Sequence, residues 1–308
     1  MNNIRPNSLL MVRPYHFTYN PETAIDNAYM NPATDADVAS KAQAEFDGMV
    51  GILESHNINT TIVQDTPLPP TPDSLFPNNW ASYHHDGTVL LYPMYAKNRR
   101  AETAKQVLPT IMDRFHVSAI HDFRHYADEN QFLEGTGSII FDHENKVAYA
   151  GYSRRTNKEL FEKVCALLHY DAVGFDAVDT NNHPIYHTNV MMNLGENYAV
   201  TCLESISDDT EKKRVLQTLT ANRENIIPIT QQQVGDFAGN MIQAYSGNGD
   251  PYTLLSARAY GTLLPWQRRR IQVNSNLLPI PVPTIEKIGG GSVRCMVSEI
   301  GLQPKTST

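Results

Sequence analysis

The chain has 308 residues, of which 41% are hydrophobic and 19% are charged, and its 17 glycines and 19 prolines are scattered along it. This composition excludes a disordered, collagenous or coiled-coil protein, and the length allows either two ordinary domains or one large one. Lys and Arg total 25 against 33 Asp and Glu, so the formal net charge of −8 disfavours nucleic acid as a partner.

The cysteine content and the lengths of the apolar runs indicate the cellular compartment in which we expect the protein. Cys165, Cys202 and Cys295 are too few and too widely separated for a disulfide framework, and no two have the spacing of a zinc site. The first apolar run, residues 9–12, is too short for a signal peptide, and no apolar stretch reaches the ~18–20 residues that cross a bilayer. We therefore expect a cytoplasmic protein that does not bind membranes.

Strand patterns alternate with helical patterns along the chain. Apolar residues recur at helical spacing over residues 34–55, which predicts an amphipathic helix. A strand over residues 58–63, a Pro-rich loop and a hairpin turned at residues 86–87 follow. The order repeats three more times, with helices predicted at residues 101–115, 157–169 and 209–219 and strands at residues 139–141, 147–149, 190–192, 198–202 and 226–229. A unit that recurs about every 50 to 60 residues predicts a closed array and one ring-like domain.

Cys295 is the candidate nucleophile. It follows three glycines and Arg294, and close backbone N–H groups and a nearby cation both favour a reactive thiolate. A flexible glycine loop followed by an ordinary buried cysteine is the alternative. Cys165 continues the apolar face of a predicted helix and Cys202 lies in a predicted strand, so we expect both in the core.

A cysteine nucleophile requires a proton shuttle and a group that orients it. His187 stands at the start of a predicted strand, where its side chain can face a cleft, and Glu134 occupies the same place in the preceding repeat. The glycines that follow Glu134 allow close approach of a substrate or of another loop. A structural histidine and a carboxylate that caps a turn are the alternatives.

Four segments in this order, one per repeat, resemble the guanidino-group modifying enzymes, the amidinotransferase and arginine deiminase superfamily. They are Phe-Pro-Asn-Asn at residues 76–79, Leu-Glu-Gly at 133–135, His-Thr-Asn at 187–189 and Gly-Gly-Gly-Ser-Val-Arg-Cys-Met at 289–296. Within the superfamily the chain is most similar to the citrulline-utilisation hydrolases, or citrulline ureidases. That similarity lies in Met-Val-Arg-Pro at residues 11–14, Pro-Asn-Asn-Trp at 77–80, Tyr-His-Thr-Asn-Val-Met-Met at 186–192 and Cys-Leu-Glu-Ser-Ile at 202–206.

The resemblance implies an α/β fold, a five-bladed pseudo-symmetric β/α-propeller (the pentein fold) that spans residues 1–308 as a single domain with a central active site. It also implies that Cys295 is the nucleophile, His187 the general acid/base and Glu134 the partner of that histidine. The expected reaction converts citrulline and water to ornithine, ammonia and carbon dioxide through a thiocarbamate-type intermediate on Cys295. It requires no metal or other cofactor.

Two asparagines bear on the substrate. Arginine deiminases carry aspartates where this chain has Asn79 and Asn189, and that carboxylate pair binds a guanidinium cation. Two buried anions would be uncompensated against a neutral urea, whereas an asparagine offers both donors and an acceptor, so the swap favours citrulline. Against this, the succinylarginine dihydrolases resemble the chain in using asparagine there. The alternative for each asparagine singly is an ordinary turn residue.

The predicted substrate-binding set is completed by Phe76 and Arg294, which lie within these motifs, and by Asn240. The resemblance implies a similar asparagine at the place of Asn240, which we expect to be local scaffolding of the site. The sequence does not choose which groups bind the amino-acid end of the substrate. The candidates are Arg13, Arg154, Arg155, Arg258 and Arg294 for its carboxylate and Asp26, Asp73 and Asp236 for its ammonium.

Other functions stay open at this point. Within the superfamily they are hydrolysis of arginine, agmatine, methylarginine or succinylarginine, and amidino transfer. Outside it they are a non-catalytic binding protein and a metallohydrolase, since His121 and His125 would share a face of a helix and His84 and His85 are adjacent. The expected partner is a small ureido or guanidino amino acid. A homo-oligomer is left open, because the sequence does not determine the oligomeric state.

Overall fold

A computed structural model describes residues 5–6, 8–32 and 37–305, and these residues form fifteen β-strands and nine α-helices. The strands are β1 (Ser8–Arg13), β2 (Thr60–Gln64), β3 (Ala81–Tyr83), β4 (Thr88–Leu91), β5 (Ala119–Asp122), β6 (Ile140–Asp142), β7 (Val147–Tyr152), β8 (Asp171–Asp176), β9 (Met192–Leu194), β10 (Tyr198–Thr201), β11 (Asn225–Pro228), β12 (Ile242–Tyr245), β13 (Pro251–Ser256), β14 (Asn276–Ile280) and β15 (Ser298–Ile300). The helices are α1 (Val38–Ser55), α2 (Val107–Arg114), α3 (Gly135–Ser138), α4 (Lys158–Leu168), α5 (Asp209–Asn222), α6 (Gln231–Gly235), α7 (Ala257–Thr262), α8 (Pro265–Gln272) and α9 (Pro283–Gly289). Short 3₁₀ helices span Pro77–Asn79, Asn98–Ala104, Arg124–Glu129, Thr188–Val190, Leu203–Ser205 and Val293–Met296.

The strands fall into five groups of three that share one pairing pattern. In each group the first two strands pair antiparallel, and the second and third pair parallel. The groups are β3–β4–β5, β6–β7–β8, β9–β10–β11, β12–β13–β14 and β15–β1–β2. The last group joins the two ends of the chain, with Ser8 opposite Ile300, and a single pairing of Ile300 with Tyr83 connects it to the first group. The number of groups is the number of blades that the propeller prediction requires.

Several predicted helices form where expected because their ends are capped. In α4 the Asn157 side chain accepts a hydrogen bond from the backbone N–H of Leu160, and in α5 Asp208 does the same for Glu211. Helix α1 begins at Val38. Residues 33–36, which include most of its predicted first turn, lie outside the described residues. Its buried face follows the predicted helical spacing, with Val38, Ala42, Phe46, Met49 and Leu53 in the core.

Other predicted elements are wrong in their bounds. Residues 101–115 do not form one helix: a 3₁₀ helix precedes α2, which starts at Val107 and so places Pro109 in its first turn, where the missing N–H is tolerated. The predicted strand at residues 190–192 starts only at Met192, because Val190 ends a 3₁₀ helix. Strand β2 starts at Thr60 rather than Ile58, and β5 is absent from the sequence prediction.

The cores lie between the strand groups and the helices that cover them. Cys165 in α4 and Cys202 just after β10 are fully buried in these cores, as expected. No helix among the described residues is long and apolar enough to span a membrane.

Candidate active site

Five short turns carry the predicted site residues, and each turn directly precedes the first strand of one group. Asn79 lies before β3, Glu134 before β6, Asn189 before β9, Asn240 before β12 and Cys295 before β15. All five side chains are buried, with at most 4% of the residue exposed. The turns that carry Asn79, Glu134, Asn189 and Cys295 are in contact with a neighbouring turn. The common position in the repeat therefore brings together residues that are far apart in sequence.

Glu134 and His187 were expected at the start of strands, and this placement is corrected. Each lies directly before a short helical turn that precedes its strand, α3 for Glu134 and the 3₁₀ helix Thr188–Val190 for His187, and neither side chain makes a capping hydrogen bond within the described part of the chain. Gly135 has a positive φ of 46°, and a β-carbon there would lie 2.8 Å from the Asn79 carbonyl oxygen. The glycine expected to allow close approach of another loop thus lies against the Asn79 turn.

Glu134 and His187 form a buried hydrogen-bonded pair. His187 Nε2 lies 2.8 Å from Glu134 Oε2, while Oε1 of the same carboxylate accepts from the Tyr95 backbone N–H at 2.9 Å. Arg155 Nη1 lies 3.6 Å from Glu134 Oε2. Because an ionised carboxylate only accepts hydrogen bonds, His187 carries its proton on Nε2, and Nδ1 is the ring nitrogen left to accept a proton.

The charges of this pair follow from its surroundings. Burial alone would raise the pKa of Glu134, but the charge of Arg155 and the hydrogen bond from His187 outweigh it and lower the pKa to about 2. Burial also lowers the pKa of His187, in spite of the opposing effect of Glu134. At neutral pH the pair is therefore a carboxylate and a neutral imidazole, which is the state of a general base.

Cys295 lies in the 3₁₀ helix Val293–Met296, where its backbone N–H donates to the Ser292 carbonyl at 2.9 Å. Two amide nitrogens approach its sulfur: Asn240 Nδ2 at 3.3 Å and Asn189 Nδ2 at 3.8 Å. Among the described residues, no hydrogen bond joins Cys295 directly to His187. The sulfur and the imidazole instead face a common cavity.

The expectation of a low thiol pKa is not met in this structure. Burial raises the pKa of the Cys295 thiol, and the donors around the sulfur and the charge of Arg294 offset this only in part. The Arg294 guanidinium donates to the Val297 carbonyl at 3.0 Å and to Glu299 Oε2 at 3.3 Å. Arg294 is therefore engaged away from the cavity, and the structure does not place it among the groups that could contact a substrate there.

Asn79 is held by an arginine that the sequence analysis did not single out. Arg99 Nη1 donates to Asn79 Oδ1 at 2.7 Å, and Arg99 Nη2 donates to the Phe76 carbonyl at 2.9 Å. Glu102 Oε1 and Oε2 accept from Arg99 at 2.8 and 3.0 Å. The only local signal for this pair is an Arg three residues before a Glu, a spacing that is common on exposed helices.

The nitrogen of the Asn79 amide has no hydrogen-bond partner among the described residues, although it is buried. A β-carbon at Gly137 would clash with this nitrogen and would lie 2.8 Å from His187 Nδ1. The Asn79 amide nitrogen and the free ring nitrogen of His187 therefore lie side by side against Gly137. This places a free amide donor next to the candidate base.

A cavity of about 20 Å³, room for one water molecule, lies between these groups. It is lined by Thr23, Asn27, Asp73, Phe76, Asn79, Arg99, Arg155, Tyr186, His187, Gly289, Gly290, Gly291 and Cys295. Asn189 and Asn240 are not part of this lining, so of the two asparagines expected to face a substrate, only Asn79 does so. A molecule as large as citrulline or arginine requires the lining to move apart.

A larger pocket of about 380 Å³ adjoins the cavity and shares Asn27 and Tyr186 with it. Asn27 Nδ2 and Tyr186 OH donate to the Gly290 carbonyl at 3.1 and 2.8 Å. These two side chains thus line both spaces and hold the glycine segment beside Cys295. Tyr186 lies within a motif that the sequence analysis quoted, whereas nothing in the sequence marks Asn27.

The structure narrows the candidates for the amino-acid end of a substrate. Arg13 pairs with Asp47 at 2.7 Å and Arg258 with Asp236 at 2.8 Å, and both pairs are substantially exposed and outside the cavity lining. Arg154 lines the outer pocket.

Arg155 and Asp73 line the cavity. Arg155 Nε lies 3.1 Å from both carboxylate oxygens of Asp26, which faces the outer pocket. Asp73 Oδ2 accepts from Asn20 and Thr23 at 2.7 and 3.0 Å, while its Oδ1 is buried without a partner among the described residues. Burial raises the pKa of Asp73, against the opposing charge of Arg99.

The histidines that raised the metallohydrolase alternative do not share a helix face. His121 lies in strand β5 and His125 in the following 3₁₀ helix, so the expected helical pair is wrong. His84 is buried, and burial lowers its pKa to about 3, so it is neutral. In residues 5–6, 8–32 and 37–305 there is no group of three or more His, Cys, Asp or Glu side chains arranged to hold a metal ion.

Comparison with known proteins assigns the family. A family model described as N,N dimethylarginine dimethylhydrolase, eukaryotic, matches residues 13–302. The chain belongs to this family. The predicted guanidino-group modifying superfamily is thereby confirmed, as is the predicted class of hydrolase that acts on carbon–nitrogen bonds.

The relatives are distant in sequence. The chain is 26% identical over 235 residues to an uncharacterized protein of Caenorhabditis elegans, ZK1307.1, an alignment that covers 76% of this chain and 75% of the other. It is also similar to ArgZ, an arginine dihydrolase from the ornithine–ammonia cycle in Cyanobacteria, at 16% identity and a TM-score of 0.75. That match covers 96% of this chain but only 41% of the cyanobacterial enzyme.

A third similarity covers nearly all of both proteins. A dimethylarginine dimethylaminohydrolase variant, solved as an adduct with S-methyl-L-thiocitrulline, matches 96% of this chain and 99% of its own at 16% identity and a TM-score of 0.66. These likenesses to solved structures show that the chain has the mixed α/β fold of the pentein enzymes.

Proposed function

We propose that this protein is a cysteine-dependent hydrolase that cleaves the ureido C–N bond of citrulline to give ornithine, ammonia and carbon dioxide. In this proposal Cys295 is the nucleophile, His187 the general acid/base, and Glu134 the carboxylate that orients His187. The family supports a hydrolase of guanidino-type carbon–nitrogen bonds. The choice of a ureido substrate depends on the geometry at Asn79.

The orientation of the Asn79 amide is the main support for a ureido substrate. Arg99 can only donate hydrogen bonds, so the Asn79 oxygen must face it and the amide nitrogen must face Gly137 and the cavity. This fixes a buried N–H donor beside His187. A ureido oxygen accepts such a hydrogen bond, and accepts it more strongly once it gains negative charge. A guanidinium carries donors only and would leave the Asn79 donor unpaired.

The charges around the cavity support the same choice. Arg99 and Arg155 both line it, and each is already paired, Arg99 with Glu102 and Arg155 with Asp26 and Glu134. Asp73 is the one carboxylate among the described lining residues, so a guanidinium there would lack a second carboxylate to pair with, whereas a neutral ureido group needs none. This refines the argument from Asn79 and Asn189, since only Asn79 faces the cavity.

The proposed reaction proceeds in two stages. The Cys295 thiol gives its proton to His187 Nδ1, the sulfur bonds to the ureido carbon, and the ureido oxygen takes the charge beside the Asn79 donor. His187 returns the proton to the departing nitrogen as the C–N bond breaks, which leaves a thiocarbamate on Cys295. A water, deprotonated by His187, then adds to this carbon and the thiolate leaves. The resulting carbamic acid separates into carbon dioxide and the second amine.

For the amino-acid end of the substrate we propose Arg155 as a contact for the carboxylate and Asp73 for the ammonium. Of the candidates from the sequence, these two line the cavity, and the free Asp73 oxygen is an acceptor without a protein partner. We also propose that the five strand groups are the blades of one propeller over residues 1–308. The pairing of β1 with β15, which joins the two ends of the chain, supports this arrangement.

Hydrolysis of arginine or of a methylated arginine is the second candidate. The family description and the similar arginine dihydrolase support it. Within the cavity, the unpaired oxygen of Asp73 could pair with a cation. This candidate requires Asp73 rather than Asn79 to bind the guanidinium.

A product assay with citrulline, arginine, agmatine, dimethylarginine and succinylarginine separates these candidates, if ornithine, citrulline and ammonia are measured separately. We expect citrulline to give the highest kcat/KM, with ornithine as the product. A much higher value for arginine would contradict the proposal.

The Asn79→Asp variant tests whether the Asn79 amide donor selects the substrate. It replaces the amide donor with an acceptor and keeps the contact with Arg99, so the ratio of kcat/KM for citrulline to that for arginine should fall by about 10²-fold or more. The ratio is its own control, because a misfolded variant loses both activities. An unchanged ratio would show that Asn79 does not select the substrate.

A further inference from the structure

Asn240 connects the turn that carries the proposed base to the turn that carries the proposed nucleophile. Its Nδ2 lies 3.0 Å from the Asn189 carbonyl oxygen and 3.3 Å from Cys295 Sγ. Its Oδ1 accepts from the backbone N–H of Arg294 at 3.1 Å. The side chain is fully buried, and every one of these contacts is within the protein.

The orientation of this amide is determined by its partners. The Arg294 N–H is always a donor and the Asn189 carbonyl always an acceptor, so the amide oxygen must face the first and the nitrogen the second. One N–H of Asn240 is used by the carbonyl, and the other is directed to the sulfur. Asn189 adds a second, longer approach through its own Nδ2, at 3.8 Å.

We propose that Asn240, with Asn189 as a weaker second donor, stabilises the Cys295 thiolate, so that neutral amide N–H groups perform the task that a cation performs in many cysteine enzymes. The two amides are then catalytic residues, since they touch the reacting sulfur. They do not select the substrate, for which the sequence alone had made both of them candidates.

The chemistry of sulfur supports this role. A thiol is a weak hydrogen-bond acceptor and a thiolate is a strong one, so an N–H held at the sulfur stabilises mainly the ionised form. The positive charge nearest in sequence does not compete for this role, because the Arg294 guanidinium is engaged by Val297 and Glu299. Burial raises the pKa of Cys295, and the two amides oppose it.

The catalytic meaning of this inference rests on the proposed role of Cys295, but its test needs no substrate. The rate of alkylation of Cys295 by iodoacetamide is measured against pH, with the modified peptide quantified by mass spectrometry. In Asn240→Ala we expect the apparent thiol pKa to rise by about one to two units, which lowers the rate near pH 7 by about 10- to 100-fold. The limiting rate at high pH should stay the same. Asn189→Ala should give a smaller rise.

Asn193→Ala is the matched control, since Asn193 is a buried asparagine in β9 and no hydrogen bond joins its side chain to Asn189, Asn240 or Cys295 among the described residues. We expect no shift of the Cys295 pKa in this variant. Cys165 and Cys202 serve as internal controls, because both are buried in the core and react only if the variant unfolds.

An unchanged thiol pKa in Asn240→Ala, with Cys165 and Cys202 still protected, would overturn the inference and leave Asn240 a purely structural residue. If Asn240→Ala unfolds, Asn240→Leu decides, because it keeps a similar size and removes both N–H groups without adding a charge beside the sulfur. Its thiol pKa should rise further than that of Asn189→Ala, and a value equal to wild type would again overturn the inference. Loss of the citrulline proposal alone would leave all of these results standing.

Discussion

On one side of the cavity, His187 is hydrogen-bonded to an ionised carboxylate, Glu134, which itself lies near Arg155. On the other side, Cys295 is approached by the neutral amides of Asn240 and Asn189. Both sides are fully buried, so their difference does not arise from solvent. The first side contains permanent charges that offset one another, and the second contains none that contact the sulfur.

This difference indicates where charge forms during the proposed reaction. Glu134 keeps its negative charge because its pKa is lowered to about 2. The pKa of His187 is lowered and that of Cys295 is raised, and both shifts favour the neutral form of the side chain. Proton transfer from Cys295 to His187 then generates two ions at once. Glu134 stabilises the imidazolium and the amides stabilise the thiolate, so each side supports the ion that forms on it.

The largest expected effect comes from removal of the sulfur. Cys295→Ala should reduce turnover of the preferred substrate by about 10⁵- to 10⁶-fold, because it removes the atom that forms the covalent intermediate. The thermal unfolding midpoint should stay close to that of wild type. Cys165→Ser provides the comparison for loss of a buried thiol outside the cavity. An active Cys295→Ala protein would contradict the proposed mechanism.

The next largest effect is expected from a change in the Glu134–His187 pair. In Glu134→Gln the single amide oxygen can accept from the Tyr95 N–H or from His187, but not from both. When it serves Tyr95, the amide nitrogen faces His187 and forces the imidazole proton onto Nδ1, which removes the base. We expect kcat to fall by about 10⁴-fold, the loss that the wrong tautomer causes in a serine protease triad. Steady-state kinetics with the preferred substrate measure this.

The same variant has a pH signature that a packing defect would not produce. The pKa of Glu134 is lowered in the folded state, so its contribution to the free energy of unfolding is present above its ordinary value near 4.5 and is lost as the pH falls toward about 2. Glu134→Gln should flatten this acid limb of stability. Cys295, whose pKa is raised, acts in the opposite direction: its contribution is lost as the pH rises above about 9. Urea unfolding of both variants across pH distinguishes the two sides, and identical acid limbs for Glu134→Gln and wild type would contradict the assignment.

The sequence predicts much of this site because its signals are local. Cys295, His187 and Glu134 lie in short motifs at the same place in successive repeats, and the family match agrees with the superfamily that these motifs indicate. Asn157 and Asp208 mark helix starts through capping, which depends only on neighbouring residues.

What the sequence does not predict depends on contacts across the chain. Arg99 binds a residue 20 positions away, and nothing near it in sequence indicates this. Arg294 adjoins Cys295 in sequence, but its guanidinium donates to Val297 and Glu299. Its position in the sequence therefore does not indicate where its charge lies. The pKa of the Cys295 thiol is raised by burial, and this effect exceeds the lowering that the neighbouring glycines and Arg294 lead one to expect from the sequence.

The smallest expected effect concerns Gly137, which packs against both the Asn79 amide and the His187 ring. A β-carbon at this position would meet both the Asn79 amide nitrogen and the His187 ring, so Gly137→Ala should displace the donor and the base by a few tenths of an ångström or more. We expect kcat to fall by about 10- to 100-fold, since misplacement of this size is costly in a preorganised site. Gly51→Ala in α1 is the matched control, because a β-carbon there meets nothing within 4 Å. That control should keep full activity and gain about 0.5 to 1 kcal/mol of stability from the better helix former. If Gly137→Ala instead lowered the thermal midpoint and left kcat intact, the Asn79 donor and the His187 base would not need the close packing that the structure gives them.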